Sequence, residues 1–193
     1  KGDTRRAGTI GVFSEYILIP NAELNKVVYP VSSKIKSKVA SLIEPFTVGC
    51  RAARRSRCKS GENAIVYGAG TIGIAAAIAL KYFGCKDVMI CDQSDFRLNI
   101  AKNLGFLVCN NKKQDLLQVS KEYFGEAPAL SGKTANIDIF IDAAGASDIL
   151  SQWQKIGKIG SRMVVVAVLS GMRPVDILHM TYAQQELIGS GGY

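Results

Sequence analysis

The chain has 193 residues, of which 48% are hydrophobic and 21% are charged, and this composition is typical of a globular protein with a sizeable core. Its net charge is +8, but much of the excess lies in two runs, 34–38 and 51–59, with little aromatic interleaving. This pattern favours solvated faces or a site for anionic ligands over nucleic-acid binding. No apolar stretch reaches the length of a membrane span and no signal peptide opens the chain, so we expect a cytoplasmic protein without membrane association.

The first 60 residues predict two short strands and one helix. The strands are expected at 12–19, ending at Pro20, and at 26–31, around Pro30. An isolated pair of strands is only marginally stable in water, so these residues are expected to belong to a domain whose remainder is missing. A helix capped by Ser37 or Ser41 should then cover 42–57. Pro45 is compatible with this helix, because the early turns of a helix tolerate proline.

Residues 63–73 carry the most informative pattern of the chain. A short apolar run at 64–67 predicts a buried strand, and the Ala-rich run at 74–80 predicts a buried helix. Between them, Gly68 allows a tight turn, Gly70 allows a pyrophosphate to approach the backbone, and Gly73 allows the helix to pack closely on the strand. A second apolar run at 88–91 ends in Asp92, 19 residues after Gly73, at the spacing of a carboxylate that binds ribose hydroxyls. Together these features predict a dinucleotide-binding fold.

Strands and helices continue to alternate to the end of the chain. We predict helices at 94–104, 113–124, 148–156 and 175–184, strands at 107–110, 137–142, 163–169 and 186–189, and a loop at 125–134. Ser94 should cap the first of these helices and Gly105 should end it. The apolar run at 163–169 is typical of a sheet centre that is buried on both faces. The predicted fold is α/β: a Rossmann doubly wound parallel sheet of six strands.

The five cysteines, at positions 50, 58, 85, 91 and 109, do not indicate a metal site. None forms a CxxC pair, and an odd number does not suit a disulfide framework. Cys91 and Cys109 lie in apolar runs and are interpreted as small buried side chains in a reducing compartment.

Four stretches together resemble the medium-chain dehydrogenase/reductase family, and within it the zinc-dependent polyol dehydrogenases of the sorbitol/L-iditol and galactitol-phosphate type. They are G-V-F-S-E-Y-I-L-I-P at 11–20, I-E-P-F-T-V-G-C-R-A at 43–52, D-Q-S-D-F-R-L at 92–98 with A-K-N-L-G at 101–105, and the segment 163–193. The resemblance covers almost the whole chain. It implies that residues 1–36 are a short β remnant of a GroES-like catalytic domain and that residues 37–193 form an NAD-binding Rossmann domain.

The resemblance also implies roles for individual residues. Asp92 would bind the adenosine ribose, and Arg97 would lie along that ribose or the adenine. Glu44 would face the catalytic zinc, directly or through water, and Tyr193 would lie near the active-site water. The residues implied in cofactor binding are Gly68, Gly70, Thr71, Ile72, Gly73, Asp92, Gln93, Arg97, Ala143, Ala144, Gly145, Ala167, Val168 and Leu169.

The chain also departs from the family pattern. A catalytic zinc needs three protein ligands, whereas the single histidine, His179, is predicted to lie on an apolar helix, and the family's other ligand segments would precede Lys1. Arg51 replaces a histidine of the family, and Ala167 and Leu169 replace glycines, which would narrow the nicotinamide pocket.

The sequence therefore favours the NAD-binding portion of a zinc-dependent dehydrogenase. The complete enzyme would transfer hydride between NAD and a secondary alcohol, a polyol or polyol phosphate, and would use zinc to acidify the alcohol. We expect a homo-oligomer, a dimer or tetramer, paired through the edge strand at 186–189. The alternatives are a zinc-free reductase of the same superfamily, a non-catalytic NAD-sensing or scaffolding module and, least favoured, a basic nucleic-acid binder.

Overall fold

The computed structural model describes residues 15–191 and divides the chain into two compact units, Lys1–Ser41 and Leu42–Tyr193. The described part of the first unit holds an isolated bridge between Leu24 and Val28 and one short helix, α1 (Ser37–Ala40). The prediction of a strand at 26–31 is wrong, because the Glu23 carbonyl accepts N–H groups of the next turn and curls the backbone. Residues 15–19 of the other predicted strand are not in a strand either, and Leu18 there is 79% exposed; residues 12–14 lie outside the described part.

The second unit is built on a parallel sheet of six strands, as predicted. The described part of the unit has eight strands: β1 (Asn63–Tyr67), β2 (Asp87–Asp92), β3 (Leu107–Asn110), β4 (Glu126–Pro128), β5 (Lys133–Ala135), β6 (Ile139–Asp142), β7 (Arg162–Val165) and β8 (Glu186–Gly189). The large sheet has the order β3-β2-β1-β6-β7-β8, which is the Rossmann order, and β4 and β5 form a separate antiparallel pair. The sheet order reverses between β1 and β6.

Helices pack on both faces of this sheet. They are α2 (Ile43–Arg55), α3 (Thr71–Tyr82), α4 (Asp95–Asn103), α5 (Leu116–Phe124), α6 (Ile149–Ile156) and α7 (Ile177–Ala183). Ser94 caps α4 as predicted, by accepting the Arg97 N–H at 3.4 Å. None of the helices within residues 15–191 is long and apolar enough to cross a membrane.

The core lies in two layers because β1 is buried on both faces. Ala64 and Val66 belong to the cluster on one face, while Ile65 and Tyr67 belong to the cluster on the other face. A central parallel strand covered by helices on both sides has this continuous apolar pattern. Tyr67 is the last residue of β1, so it directly precedes the glycine-rich turn.

Three predicted boundaries are corrected by local hydrogen bonds. The predicted loop at 125–134 contains the hairpin of β4 and β5. Helix α5 begins at Leu116 instead of 113, because the Asp115 carboxylate caps it at Gln118 N. Strand β7 ends at Val165 instead of 169: the next two N–H groups both donate to the Asp142 carbonyl, and Val168 is fully exposed.

Candidate functional site

The glycine-rich turn between β1 and α3 owes its shape to two of its three glycines. Gly68 has a φ of +100°, and a Cβ there would lie 3.1 Å from the backbone of Ala143. A Cβ at Gly73 would lie 1.8 Å from the Gly68 carbonyl oxygen, so only glycine lets α3 pack this closely on the strand. At Gly70 a Cβ would meet no atom within 4 Å, so the backbone there borders open space. The turn at Gly68 and the close packing at Gly73 are as predicted, and the open backbone at Gly70 leaves room for a ligand.

The start of α3 presents backbone donors to the same space. Its N-cap is Gly70, and no side chain accepts a hydrogen bond from the first turn. Free N–H groups and the positive end of the helix dipole together attract an anion such as a phosphate. The turn therefore has the chemistry of a pyrophosphate cradle.

Asp92, the last residue of β2, accepts two backbone hydrogen bonds, one of them from this turn. Its Oδ2 accepts the N–H of Ala69 at 2.8 Å, and its Oδ1 accepts the N–H of Ser94 at 2.8 Å. The Arg97 guanidinium lies 3.9 Å from Oδ2. A carboxylate has about four lone-pair positions, so Asp92 can still accept two hydroxyl groups at the open side of the turn.

These residues border one cleft of about 550 Å³ at the carboxyl ends of the strands. It lies where the sheet order reverses, which is the usual ligand position in open α/β sheets. Of the residues predicted to bind a cofactor, it brings together Gly68, Gly70, Asp92, Gln93, Arg97, Ala143 and Ala144. The other lining residues are Tyr67, Cys91, Ser94, Asn111, Ala146, Asp148 and Ile149.

Sequence reasoning missed the polar residues at the floor of this cleft. Tyr67 and Asp142 are register partners on β1 and β6, and both are almost fully buried. Asp142 Oδ1 accepts the N–H groups of Ala144 and Gly145 at 3.0 and 2.8 Å, which fixes the loop that follows β6. The Tyr67 hydroxyl and Asp142 Oδ2 have no partner within residues 15–191. Their place at strand ends was a usable signal, since ligands bind at the carboxyl edge.

Burial dominates the electrostatics of this floor. It raises the pKa of the Asp142 carboxyl, although the hydrogen bonds from Gly145 and Ala144 partly oppose that rise. Burial also raises the pKa of Tyr67 well above its usual value, and the nearby Cys91 and Asp142 act in the same direction. The phenol therefore stays neutral and can donate a hydrogen bond into the cleft.

A second group of predicted residues lies outside this cleft. A Cβ at Gly145 would be 3.3 Å from the Ala167 Cβ and 3.1 Å from Leu169 Cδ2, so the loops after β6 and β7 meet there. Val168, which lies between Ala167 and Leu169 in the chain, points into solvent. Thr71 lies at the start of α3 and borders a separate groove, whereas Ile72 is half-buried.

Of the two predicted catalytic residues, Glu44 lies in the part of the chain that the structure describes. Glu44 is exposed in the first turn of α2, and Tyr193 lies outside the described residues. His179 is half-buried on α7, as its sequence context predicts. Within residues 15–191 no three His, Cys, Asp or Glu side chains are close enough to hold a metal ion. This part of the chain does not supply the three protein ligands of a catalytic zinc.

Comparisons with known proteins agree with this geometry. Residues 71–193 match the family model of the zinc-binding dehydrogenases. A curated relative, 2-dehydro-3-deoxy-L-galactonate 5-dehydrogenase from Pseudoalteromonas atlantica, is 27% identical over 87% of this chain and 47% of its own length. An alcohol dehydrogenase from E. coli, solved with NADH, superposes with a TM-score of 0.73 at 25% identity, over 86% of this chain and 47% of the other.

The fold is shared more widely. The 2R,3R-butanediol dehydrogenase from Bacillus subtilis has a TM-score of 0.74 at 23% identity, over 86% of this chain and 46% of its own. The chain thus spans about half the length of the curated relatives it matches. The family match covers more than half of the chain and includes the start of α3 and Asp92. The chain therefore belongs to the zinc-binding dehydrogenase family.

Proposed function

We propose that this chain is the NAD-binding part of an oxidoreductase that transfers hydride between NAD and a secondary alcohol, a polyol or polyol phosphate. The observation that carries the proposal is the position of Asp92, which is hydrogen-bonded to the glycine turn beside the open backbone of Gly70. The relatives named above, a sugar-acid dehydrogenase and alcohol dehydrogenases, support the oxidation of an alcohol as the reaction class.

Each part of the site would hold one part of the dinucleotide. The backbone from Gly68 to Gly73 and the start of α3 would bind the pyrophosphate. Asp92 would accept hydrogen bonds from both adenosine ribose hydroxyls, with Gln93 and Arg97 beside the adenosine. The loops at 143–145 and 167–169 would border the nicotinamide half, which accepts the hydride when the cofactor is bound.

Asp92 also favours NAD over NADP. A 2′-phosphate would sit close to its carboxylate, and two like charges at 4 Å repel by about 4 kcal/mol at an effective dielectric constant of 20. The Arg97 guanidinium offsets part of this repulsion, but its side chain is 59% exposed and therefore well screened by water.

Glu44 and Tyr193 are proposed to complete an active site whose other groups lie elsewhere in the whole enzyme. Glu44 would face the zinc, directly or through water, and Tyr193 would lie near the active-site water. In this chain Glu44 already has a second use, because an acidic side chain in the first turn of α2 stabilises the helix dipole.

The edge of the sheet supports a homo-oligomer, a dimer or tetramer. Strand β8 is the last strand of the sheet and, among residues 15–191, pairs only with β7. An edge strand offers unpaired backbone groups to a second copy of itself across a two-fold axis. Arg55 already donates to the Gly189 carbonyl at 3.2 Å, so the interface would use the remaining groups of the strand.

The role of Asp92 can be tested by comparing two variants. We expect Asp92→Asn to weaken NADH binding by about tenfold or more, because it removes charge-assisted hydrogen bonds to the ribose. Asp87→Asn makes the same charge change at the opposite end of β2 and should leave NADH binding unchanged. Calorimetric titration measures both. Equal NADH affinity of the two variants would remove the basis of the proposal.

A further inference from the structure

Cys58 and Cys85 form a close pair of thiols at the edge of the sheet opposite to the cleft. Cys58 follows α2, and Cys85 lies between α3 and β2, at the amino ends of β1 and β2. Their Sγ atoms are 3.0 Å apart. A disulfide has an S–S bond of about 2.05 Å, so the two sulfurs need to approach by only about 1 Å to form one.

The backbone around the pair is already fixed in a suitable position. The Gly61 N–H donates to the Gly84 carbonyl at 3.0 Å, and the Lys86 N–H donates to the Glu62 carbonyl at 2.8 Å. These bonds flank Cys85 and tie it to the segment that follows Cys58. Closing the pair therefore requires little movement of the main chain, which is the geometric condition for a disulfide.

Access to the pair is through Cys58. Its side chain is half-buried at one wall of a cleft of about 260 Å³ that it shares with Ala53, Arg54, Arg57 and Phe83. Cys85 is only 4% exposed, and burial, followed by the hydrogen bond with Cys58, raises its pKa. An external reagent thus reaches Cys58 first, and Cys85 is placed to react with it afterwards.

The cleft beside Cys58 is positively charged. The Arg54 guanidinium has no hydrogen bond or ion pair within residues 15–191, whereas Arg57 pairs with Glu186, and Lys59 follows Cys58 in the chain. These basic residues belong to the run 51–59 of the sequence, and none of that run lines the cofactor cleft. Reactive cysteines lie in partly exposed, electropositive surroundings of this kind, and such surroundings concentrate anionic reagents.

We propose that Cys58 and Cys85 are a reversible redox-modification site for low-molecular-weight anionic disulfides such as glutathione disulfide. The Cys58 thiolate attacks one sulfur of glutathione disulfide, forms a mixed disulfide and releases one glutathione thiolate. Cys85 then loses its proton and attacks the Cys58 sulfur, which releases the second glutathione. The protein pair gives up two electrons and two protons, and one glutathione disulfide is reduced to two glutathione thiols.

The cross-link would enclose β1, the glycine turn and α3 in one loop. Closing a loop of this length stabilises a protein mainly by restricting its unfolded chain. We therefore expect oxidation to raise Tm by roughly 5–10 °C. The cofactor cleft lies at the other end of β1, so oxidation should leave NADH affinity unchanged. The proposal does not depend on the proposed function.

The other cysteines serve as internal controls. Cys91 and Cys109 are fully buried on neighbouring strands, and Cys50 has no sulfur neighbour in the described part of the chain. Treatment of the reduced chain with glutathione disulfide, followed by intact mass and peptide mapping, should show the loss of two hydrogens and a Cys58–Cys85 peptide. Cys85→Ser should instead stop at one glutathionyl group on Cys58, and Cys50→Ser should behave as the wild type.

The role of the positive cleft has a separate readout. Arg54→Gln should slow the reaction with glutathione disulfide several-fold but not the reaction with the neutral hydroxyethyl disulfide, which has no charge to attract. The proposal is overturned if both thiols remain free while Cys50 is modified, or if Cys91 and Cys109 are cross-linked first. If Arg54→Gln slowed the reactions with both disulfides equally, the charge of Arg54 would have no part in attracting the anionic reagent.

Discussion

Gly70 and Gly73 lie three residues apart in the same turn, yet a methyl group has opposite consequences at the two positions. Gly73→Ala places a Cβ against the Gly68 carbonyl, so we expect a loss of about 2–4 kcal/mol in the free energy of unfolding. Gly70→Ala meets open space at a φ of −80° and should change stability by less than about 0.5 kcal/mol while weakening NADH binding. Urea unfolding and calorimetry measure the two effects; equal stability of the two variants would contradict the packing role of Gly73.

Asp142 predicts a specific dependence of stability on pH. Its folded-state pKa is raised by burial, so the folded state binds the proton more tightly than the unfolded state. The favourable contribution is therefore present at acid pH and is lost as pH rises from the unfolded pKa through the folded one. Asp142→Asn should flatten this decline, because the amide does not titrate. Urea unfolding between acid and neutral pH tests it, and parallel curves for wild type and variant would contradict it.

At the scale of single residues, the sequence predicted those whose spacing is itself the signal. Gly68, Gly70 and Asp92 follow from a local pattern, and the structure places them around one cleft. Tyr67 and Asp142 could not be predicted as a pair, because they are 75 residues apart in the chain and meet through the pairing of β1 with β6. Whether these two residues are neighbours depends on the order of the strands in the sheet and not on the local sequence.

At the scale of elements, the prediction was accurate where burial decides and failed where single hydrogen bonds decide. The strands at 107–110 and 186–189 have their predicted bounds. By contrast, β7 is shorter than its apolar run because the Asp142 carbonyl turns the next two residues away from the sheet. Residues 15–19 and 26–31, predicted to lie in strands, do not, because apolar alternation forms a strand only beside a partner strand.

Strand β8 carries a prediction about assembly. Glu186 and Ser190 donate their N–H groups towards the β7 side, so the N–H of Leu187 faces the open edge. We expect Leu187→Pro to remove an outward donor and to shift a dimer towards monomer, whereas Leu187→Ala keeps that donor and the dimer. Light scattering over a range of concentrations measures both. A wild-type chain that stays monomeric at high concentration would contradict the proposed pairing.

At the scale of the whole molecule, the metal separates this chain from the complete enzyme that we propose. We expect the 193-residue chain to hold no stoichiometric zinc and to show no alcohol oxidation, because a single carboxylate at Glu44 does not replace three ligands. In the complete enzyme, Glu44→Ala should lower zinc content or alcohol oxidation, and the surface change Glu122→Ala should not. Elemental analysis with an alcohol-oxidation assay tests this, and one tightly bound zinc per isolated chain would contradict it.

The central claim is that the cleft at the carboxyl ends of β1, β2 and β6 is an NAD site selected by Asp92. Calorimetric titration of the wild-type chain with NADH and with NADPH tests it most directly. The account predicts that NADH binds with one site per chain and that NADPH binds at least about tenfold more weakly, a difference of about 1.4 kcal/mol or more. Equal affinities for the two cofactors, or no binding of either, would contradict it.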